Sequence, residues 1–479
     1  MAAWLRRRAL AVALATLVLL QTGTAQLPLP PALRPWSRSA GQTSDGFYFQ
    51  PEVLGEDYPQ ASRQQVLRDV EIARRAGARA LRFGVSWLET EPEPGRFDWT
   101  KLDRIVAAAH AQGMPILPYL CYTPQWAAVD PKAQDFWAQP PRDPQLFANF
   151  AAAVAKRYRG QVLAWGLWNE PDNPSYWKGS PGELAAMIRA ASGAIRRADP
   201  AAGVWMGGFA EGADAFFHRI VENDRVDRNV NAIGLHGYPE TWDARPPSQY
   251  YPQEIGEMEE ALRSAGDPID LWADENGYAN YRYSARSASR DVDVPIHHTY
   301  EHTPAYQAVM LWRDHLEVLA SDAASLMGWY RIHDLPAGSK TIGDENNRFL
   351  GLVDVRGREK PAFFALRFYD RLFDQPTRSL DDKVVVQPRV QHAVVHVIEK
   401  RNGDVVVTGW MPDSNGSARD LPVHVQVQFP PSYRFRQIRS YKVSGELISD
   451  RKLPARGAPF VLRDFAIEAS GAAIIVLSP

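Results

Sequence analysis

The sequence predicts an α/β fold: a closed (β/α)8 barrel followed by a smaller antiparallel β-sandwich-like domain. Three observations carry this. The chain has 479 residues, more than one hydrophobic core usually supports, so two domains are expected. Eight short apolar, β-like runs alternate with amphipathic or Ala-rich segments over roughly 330 residues, the rhythm of a parallel barrel. From about Val384 the texture changes to short alternating strands.

The barrel strands are expected at Gly46–Glu52, Ala80–Val85, Met114–Tyr119, Leu163–Trp168, Gly203–Gly207, Ala232–His236, Ile269–Ala273 and Leu326–Tyr330. Helical patterns fall between them, such as those at Arg63–Arg75, Leu102–Ala111, Pro144–Tyr158, Leu184–Ala198 and Thr303–Ala320. A doubly wound open sheet is the rival architecture. It would need a Gly-rich phosphate-binding turn after its first strand, and none is present. Farther on, Ala393–Glu399 and Asp404–Trp410 flank an Arg401-Asn402-Gly403 turn, a hairpin signal, and Val423–Phe429 and Ala472–Leu477 continue the pattern. The expected organisation is a leader over residues 1–25, a Pro-rich lead-in over 26–44, a barrel over 45–378 and a β-domain over 379–479. That last domain is read as structural, with carbohydrate binding as the alternative.

Arg6, Arg7 and Arg8 precede an apolar run from Ala9 to Leu20, and small residues follow around Gly23 to Ala25. This pattern predicts a cleavable secretory signal, hence a secreted or periplasmic protein. The run is too short to span a bilayer comfortably, so no stable membrane span is expected. Net charge is −2, and removal of residues 1–25 (three Arg, no acid) would bring it to −5. No basic block suggests nucleic acid. The single cysteine, Cys121, excludes an internal disulfide and reads as a small packing residue.

Chemistry concentrates at two strand ends. The run Leu163-Ala164-Trp165-Gly166-Leu167-Trp168-Asn169-Glu170-Pro171 is an apolar strand closing on an amide, a carboxylate and a proline. Pro171 stops the strand and biases the preceding residue towards extended backbone. The run Ile269-Asp270-Leu271-Trp272-Ala273-Asp274-Glu275-Asn276-Gly277 is a second such end. Glu170 closes the fourth strand and Glu275 the seventh, so a closed barrel sets them across its mouth, where such barrels keep their chemistry. Two carboxyl groups about 5–5.5 Å apart are the apparatus of retaining glycoside hydrolysis. Strand alternation predicts that only one of Asp274 and Glu275 faces that mouth.

The Trp168-Asn169-Glu170-Pro171 motif with a strand-seven Glu resembles the clan A glycoside hydrolases, over most of residues 45–375. Trp87, Glu91-Pro92 and Pro94-Gly95-Arg96-Phe97-Asp98-Trp99 resemble the stretch after strand two in several of those families. Gly351-Leu352-Val353-Asp354 and Lys360-Pro361-Ala362-Phe363 resemble the run into their last helix. Within the clan the sequence is most similar to family 39, which includes β-xylosidases and exopolysaccharide-cleaving enzymes, with family 5 as a neighbour.

The resemblance implies Glu170 as acid/base and Glu275 as nucleophile. It also implies Asn169 on a sugar hydroxyl, Arg82 holding the nucleophile ionised, His236 and Tyr238 beside it, and Trp329 as the floor of the sugar site. The expected reaction is double displacement on a β-linked glycoside or polysaccharide, with no cofactor and no metal. A transglycosylase using the same two Glu is the first alternative; a carbohydrate-binding barrel without catalysis is the second. His297, His298 and His302 lie in a long segment after strand seven with Tyr281, Arg282 and Tyr283; substrate contact or solvent exposure outranks metal binding there. Arg331 and His333 are candidates for reading an acidic substrate group. Asn415-Gly416-Ser417 matches a glycosylation acceptor.

Overall fold

The computed structural model describes residues 46–56, 62–239, 245, 247–266, 269–281, 302–339, 348–390, 393–411, 422–454, 459–467 and 471–479. The expected leader and Pro-rich lead-in, with Arg282, Tyr283, His297, His298 and Asn415-Gly416-Ser417, lie outside the described residues. Eight parallel strands close into a barrel in sequence order: β1 (Glu52–Glu56), β2 (Ala80–Ser86), β3 (Ile116–Cys121), β4 (Ala164–Leu167), β5 (Gly203–Phe209), β6 (Ala232–Gly237), β7 (Asp270–Asn276) and β8 (Ala324–Tyr330). β1 pairs with both β2 and β8, and this closure rules out the open doubly wound sheet. Long helices cover the outside: α1 (Arg63–Ala76), α2 (Thr100–Ala111), α3 (Pro144–Arg157), α4 (Pro181–Ala198), α5 (Pro247–Ala265), α6 (Pro304–Ala320) and α7 (Pro361–Leu372).

Local chemistry starts these helices where the barrel needs them. Ser62 accepts from the Gln65 N–H at the start of α1, and Asp143 accepts from the Gln145 N–H ahead of Pro144. Ser180 and Glu183 form a reciprocal capping box with Pro181 at the first turn of α4. Each arrangement satisfies amide groups a helix cannot pair internally.

The first strand is a correction. Gly46–Glu52 was expected, yet β1 begins at Glu52, and Tyr48 instead bridges Thr377 in the C-terminal region. Extended, apolar backbone is common to both segments, and periodicity cannot say which of them the barrel uses. The α5 helix fills the place the strand–helix rhythm assigns between the sixth and seventh strands, with Pro252 inside it.

The C-terminal region has two antiparallel sheets. One runs β10 (Val385–Gln387), β13 (Val423–Gln428), β16 (Val461–Ile467). The other runs β15 (Leu447–Lys452), β14 (Gln437–Tyr441), β17 (Ala473–Ser478), β12 (Val405–Trp410), β11 (Val394–Lys400), β9 (Thr377–Ser379). Alternation along β12 explains why all its residues are buried. Val405 and Val407 face the core between the sheets, while Val406 and Trp410 pack on Trp312 and Leu316 of α6 and Phe368 and Tyr369 of α7. The six-stranded sheet is thus a shared layer, part sandwich and part barrel wall. No helix among the described residues is long and apolar enough to cross a membrane.

Candidate active site

The end of β4 is bent into position rather than extended. Trp168 has φ 69° and Glu170 φ 42°, left-handed conformations that cost energy for residues with a Cβ. The expectation that Pro171 would hold Glu170 extended is therefore wrong. Neighbouring strands over-determine the turn: the Trp168 N–H donates to the Leu120 carbonyl at 2.9 Å and the Glu170 N–H to the Gly208 carbonyl at 3.1 Å. Gly207 has to be glycine, because a Cβ there would run into the Trp168 carbonyl. Asp172, just beyond, accepts from the N–H groups of Ala210 (3.0 Å) and Glu211 (2.6 Å), tying this turn to the segment after β5. Burial pushes the Asp172 carboxyl up to about 7 despite those two bonds.

Glu170 and Glu275 meet across the mouth. One oxygen of each, with one nitrogen of His236, all lie within 4.8 Å of one another. His236 Nδ1 stands 2.7 Å from Glu170 Oε1, and the Asn173 amide donates to Glu170 Oε2 at 3.2 Å. On the other side, Arg82 Nη1 donates to Glu275 Oε2 at 2.6 Å and the Tyr238 hydroxyl to Glu275 Oε1 at 2.8 Å. The fully buried Arg82 also places Nη2 3.5 Å from Asn169 Oδ1 and 3.2 Å from His236 Nε2, over the Tyr119 ring at 4.3 Å. Arg82, Asn169, Glu170, His236, Tyr238 and Glu275 therefore form one hydrogen-bonded group.

The surroundings of Glu275 favour its ionised form. Burial favours a neutral Glu275, but His236, Arg82 and the Tyr238 hydroxyl outweigh it and hold its carboxyl below the usual glutamate value. Burial likewise opposes charge on His236, while Glu275, Asp274 and Glu170 favour it and push it up to about 10. The Arg82 Nη2 contact opposes protonation at Nε2, since a guanidinium offers only donors. Three carboxylates against one guanidinium leave the balance upward. Burial and Glu275 both raise Tyr238 well above its ordinary value, so it stays a donor.

Two residues depart from expectation. Trp329 is fully buried and faces outward from the barrel: its ring lies 6.3 Å from His315 of α6 and its Nε1 donates to the Leu350 carbonyl at 3.3 Å. It is core and cannot floor a sugar site. The next residue, Tyr330, points the other way, as alternation requires. It is half-buried, lies over Gly55 of β1 and packs in the aromatic group that includes Tyr238.

Asp274 is the second departure. Alternation was expected to point Asp274 and Glu275 opposite ways, yet buried Asp274 has its Oδ2 3.2 Å from Nε of the same Arg82 that pairs with Glu275. The β6–β7 register slips by one residue between Gly234/Trp272 and His236/Glu275. That bulge breaks strict alternation and lets adjacent carboxylates reach one cation.

Among the other expected groups, Arg331 is ion-paired with Glu56, and His333 Nε2 stands 2.6 Å from Asp69 Oδ1; each is engaged by a carboxylate of the protein. His302 is stacked between Tyr278 (4.8 Å) and Tyr281 (4.4 Å), its Nδ1 on the Ala279 carbonyl. Cys121 is buried at the end of β3. Glu91 is buried and accepts from Trp87 Nε1 and the Gly95 N–H, both at 2.8 Å, so the motif after β2 shapes a turn. Glu170, His236 and Glu275 are close enough together to suggest a metal ligand set. Arg82 contacts both Glu275 and His236, so a metal cation would be set against a buried positive charge, and the set does not suit one.

Comparisons with known proteins bear on the fold. A glycoside hydrolase family 42 model, described as β-galactosidase, matches residues 57–128. No curated protein matches the sequence. A family 39 glycoside hydrolase from Bacteroides cellulosilyticus WH2 is similar in structure, with a TM-score of 0.63 at 16% identity over 90% of this chain and 81% of that one. A monomeric β-xylosidase from Caulobacter crescentus CB15 gives 0.60 at 15% identity, over 90% and 96%. A family 30 endoxylanase from Clostridium papyrosolvens C71 gives 0.60 at 13%, over 90% and 97%. The barrel with its β-sandwich is the fold of these enzymes, and the resemblance of the chain is to clan A, most of all to family 39.

Proposed function

We propose that the chain is a retaining glycoside hydrolase acting on a β-linked glycoside, with Glu275 as nucleophile and Glu170 as acid/base. The observation that carries this is the spacing of the two carboxylates, with one oxygen of each within 4.8 Å of the other. Retaining chemistry needs a separation of about 5–5.5 Å, whereas inverting enzymes leave about 6.5–9.5 Å for an intervening water.

In the first step a Glu275 oxygen attacks the anomeric carbon, the bond to the leaving oxygen breaks, and Glu170 gives that oxygen its proton. Glu275 becomes a neutral ester and Glu170 a carboxylate. In the second step Glu170 takes a proton from water as the water oxygen attacks the same carbon, and Glu275 leaves as a carboxylate. For Glu275, Arg82 and the Tyr238 hydroxyl keep the carboxylate ionised; for Glu170, His236 and Asn173 fix the position of its two oxygens and do not themselves favour its protonated form. Asn169 is within reach of a hydroxyl beside the reacting carbon, and Tyr330 offers the ring that Trp329 does not. The named activities of similar structures, β-xylosidase and endoxylanase, put xylosides first among candidate substrates. The basic and apolar start of the chain supports an exported enzyme; N-terminal sequencing of the mature protein, expected to begin near residue 26, tests that.

A panel of aryl β-glycosides and β-linked polysaccharides tests the proposal, with wild type beside Glu170→Gln and Glu275→Gln. The expected result is hydrolysis of at least one substrate, lost in Glu275→Gln. In Glu170→Gln, substrates whose leaving group needs protonation are lost most. Substrate binding without turnover in the wild type would overturn it in favour of a binding protein.

A further inference from the structure

We propose that Asp274 is a positioning residue for this reaction: it keeps Arg82 paired when Glu275 is esterified. The inference rests on the reading of Glu275 as nucleophile. Asp274 is buried, and its Oδ2 lies 3.2 Å from Arg82 Nε and 3.4 Å from Trp205 Nε1. Its Oδ1 accepts no hydrogen bond among the described residues and faces His236 Nε2 at 3.8 Å.

The fold makes room for this carboxylate deliberately. A Cβ on Gly234 of β6 would run into Asp274 Oδ1, and a Cβ on Gly208 of β5 would meet both that oxygen and the His236 ring. The bulge in β7 then turns Asp274 and Glu275 towards the same guanidinium. Burial opposes ionisation of Asp274, but Arg82 and His236 outweigh it and hold its carboxyl below the usual value. The charged and titratable groups around this point are Arg82 of β2, Tyr119 of β3, Glu170 after β4, His236 and Tyr238 at the end of β6, and Glu275.

The consequence follows from charge balance. Before the first step Arg82 faces two carboxylates. Attack by Glu275 turns one of them into a neutral ester, and the negative charge appears on Glu170 as its proton leaves with the aglycone oxygen. A buried guanidinium whose only partner had been neutralised would be left uncompensated, which is costly. Asp274 removes that cost from the glycosyl-enzyme. It also shares the cation beforehand, so Arg82 does not wholly quench the nucleophile it keeps ionised.

A stability cycle tests the pairing without any substrate. Glu275→Gln mimics the neutral ester, and Asp274→Asn removes the second partner at constant shape. Each single variant is expected to melt within about 4 °C of wild type, since Arg82 keeps one carboxylate. The double variant is expected to lose at least twice the sum of the single losses, or to fail to fold where both singles fold. Additive melting losses, or an Asp274→Asn protein that does not fold by itself, would overturn the proposal, because one remaining carboxylate was to suffice.

The kinetic arm uses any aryl glycoside the wild type turns over. In Asp274→Asn the pre-steady-state release of the aryl group is expected to slow at least 10-fold, and more than the second step slows. An unchanged first step would contradict the positioning role. Absence of turnover in wild type would sink the hydrolase reading alone, leaving the stability cycle to judge the pairing.

Discussion

Arg82 meets two carboxylates, an imidazole and a carboxamide from a single buried position, so the protonation of the site depends on it. Glu275, held below the ordinary glutamate value, stays ionised as pH falls, so the acid limb of kcat/KM should lie below the ordinary glutamate range. In Arg82→Met that limb should move to higher pH, and kcat/KM should fall on the order of 100-fold, as expected when a buried charge loses a partner worth about 3 kcal/mol. Unaltered pH dependence would remove Arg82 from this role. The two aromatic neighbours on β8 should behave oppositely. Tyr330→Ala should raise KM on the order of 10-fold with little change in melting, whereas Trp329→Phe should leave KM alone and lower the melting temperature; Michaelis constants and melting curves separate the two. Glu170 and Glu275 were legible as carboxylates closing apolar strands, whereas Arg82, the third residue of β2, and His236 and Tyr238 were picked out only through the resemblance to clan A. Trp329 misled because residue type was read where strand parity decides, and parity at the end of β8 selects Tyr330. Asn173 escaped because a residue three positions past a strand end carries no periodic signal.

At the level of elements, the site depends on where strands deviate from regularity. β5 supplies Gly207 and Gly208, one lying against the Trp168 carbonyl and the other against the His236 ring. Gly208→Ala should displace His236 from Glu170 and cut kcat/KM by at least 10-fold, with the fold retained by circular dichroism. Activity within twofold of wild type would show that the imidazole tolerates the shift. The bulge in β7 has the same importance for Asp274, and it was invisible beforehand: alternation is a rule about pairing, and a one-residue slip leaves no mark on composition. Most helices, by contrast, were legible almost to the residue. The helix expected from Leu184 begins instead at Pro181, because the Ser180–Glu183 capping box starts it one turn earlier. β1 was misplaced because Gly46–Glu52 and Glu52–Glu56 are both extended and apolar, and only pairing with β2 and β8 distinguishes them.

In the whole molecule, the barrel and the β-sandwich share a wall. Trp312 of α6 donates to Thr408 Oγ1 of β12 at 3.0 Å, and Arg313 to the Gly471 carbonyl at 2.8 Å. His396 of β11 lies between Asp381 (2.7 Å) and Glu317 of α6 (3.4 Å). Burial opposes its charge, but the two acids outweigh this and push it up to about 10. A raised imidazole stabilises the fold fully below its unfolded value near 6.5, and that contribution fades as pH climbs through about 10. His396→Gln should therefore melt below wild type at pH 7, with the gap narrowing towards pH 10; a gap independent of pH would discount the ion pair. The two-part architecture was legible from the change of texture near Val384, but the wall itself was not. It depends on α6 and β12 each having two buried faces, which hydropathy reads only as a generally apolar segment. The central claim remains the chemistry at the barrel mouth, and its most direct test is the anomer first released from a β-glycoside, followed by proton NMR. Retention, with the β-anomer appearing before mutarotation, is the result expected of a Glu170–Glu275 pair at this spacing. First release of the α-anomer would contradict the double displacement and the assignment of Glu275 as nucleophile.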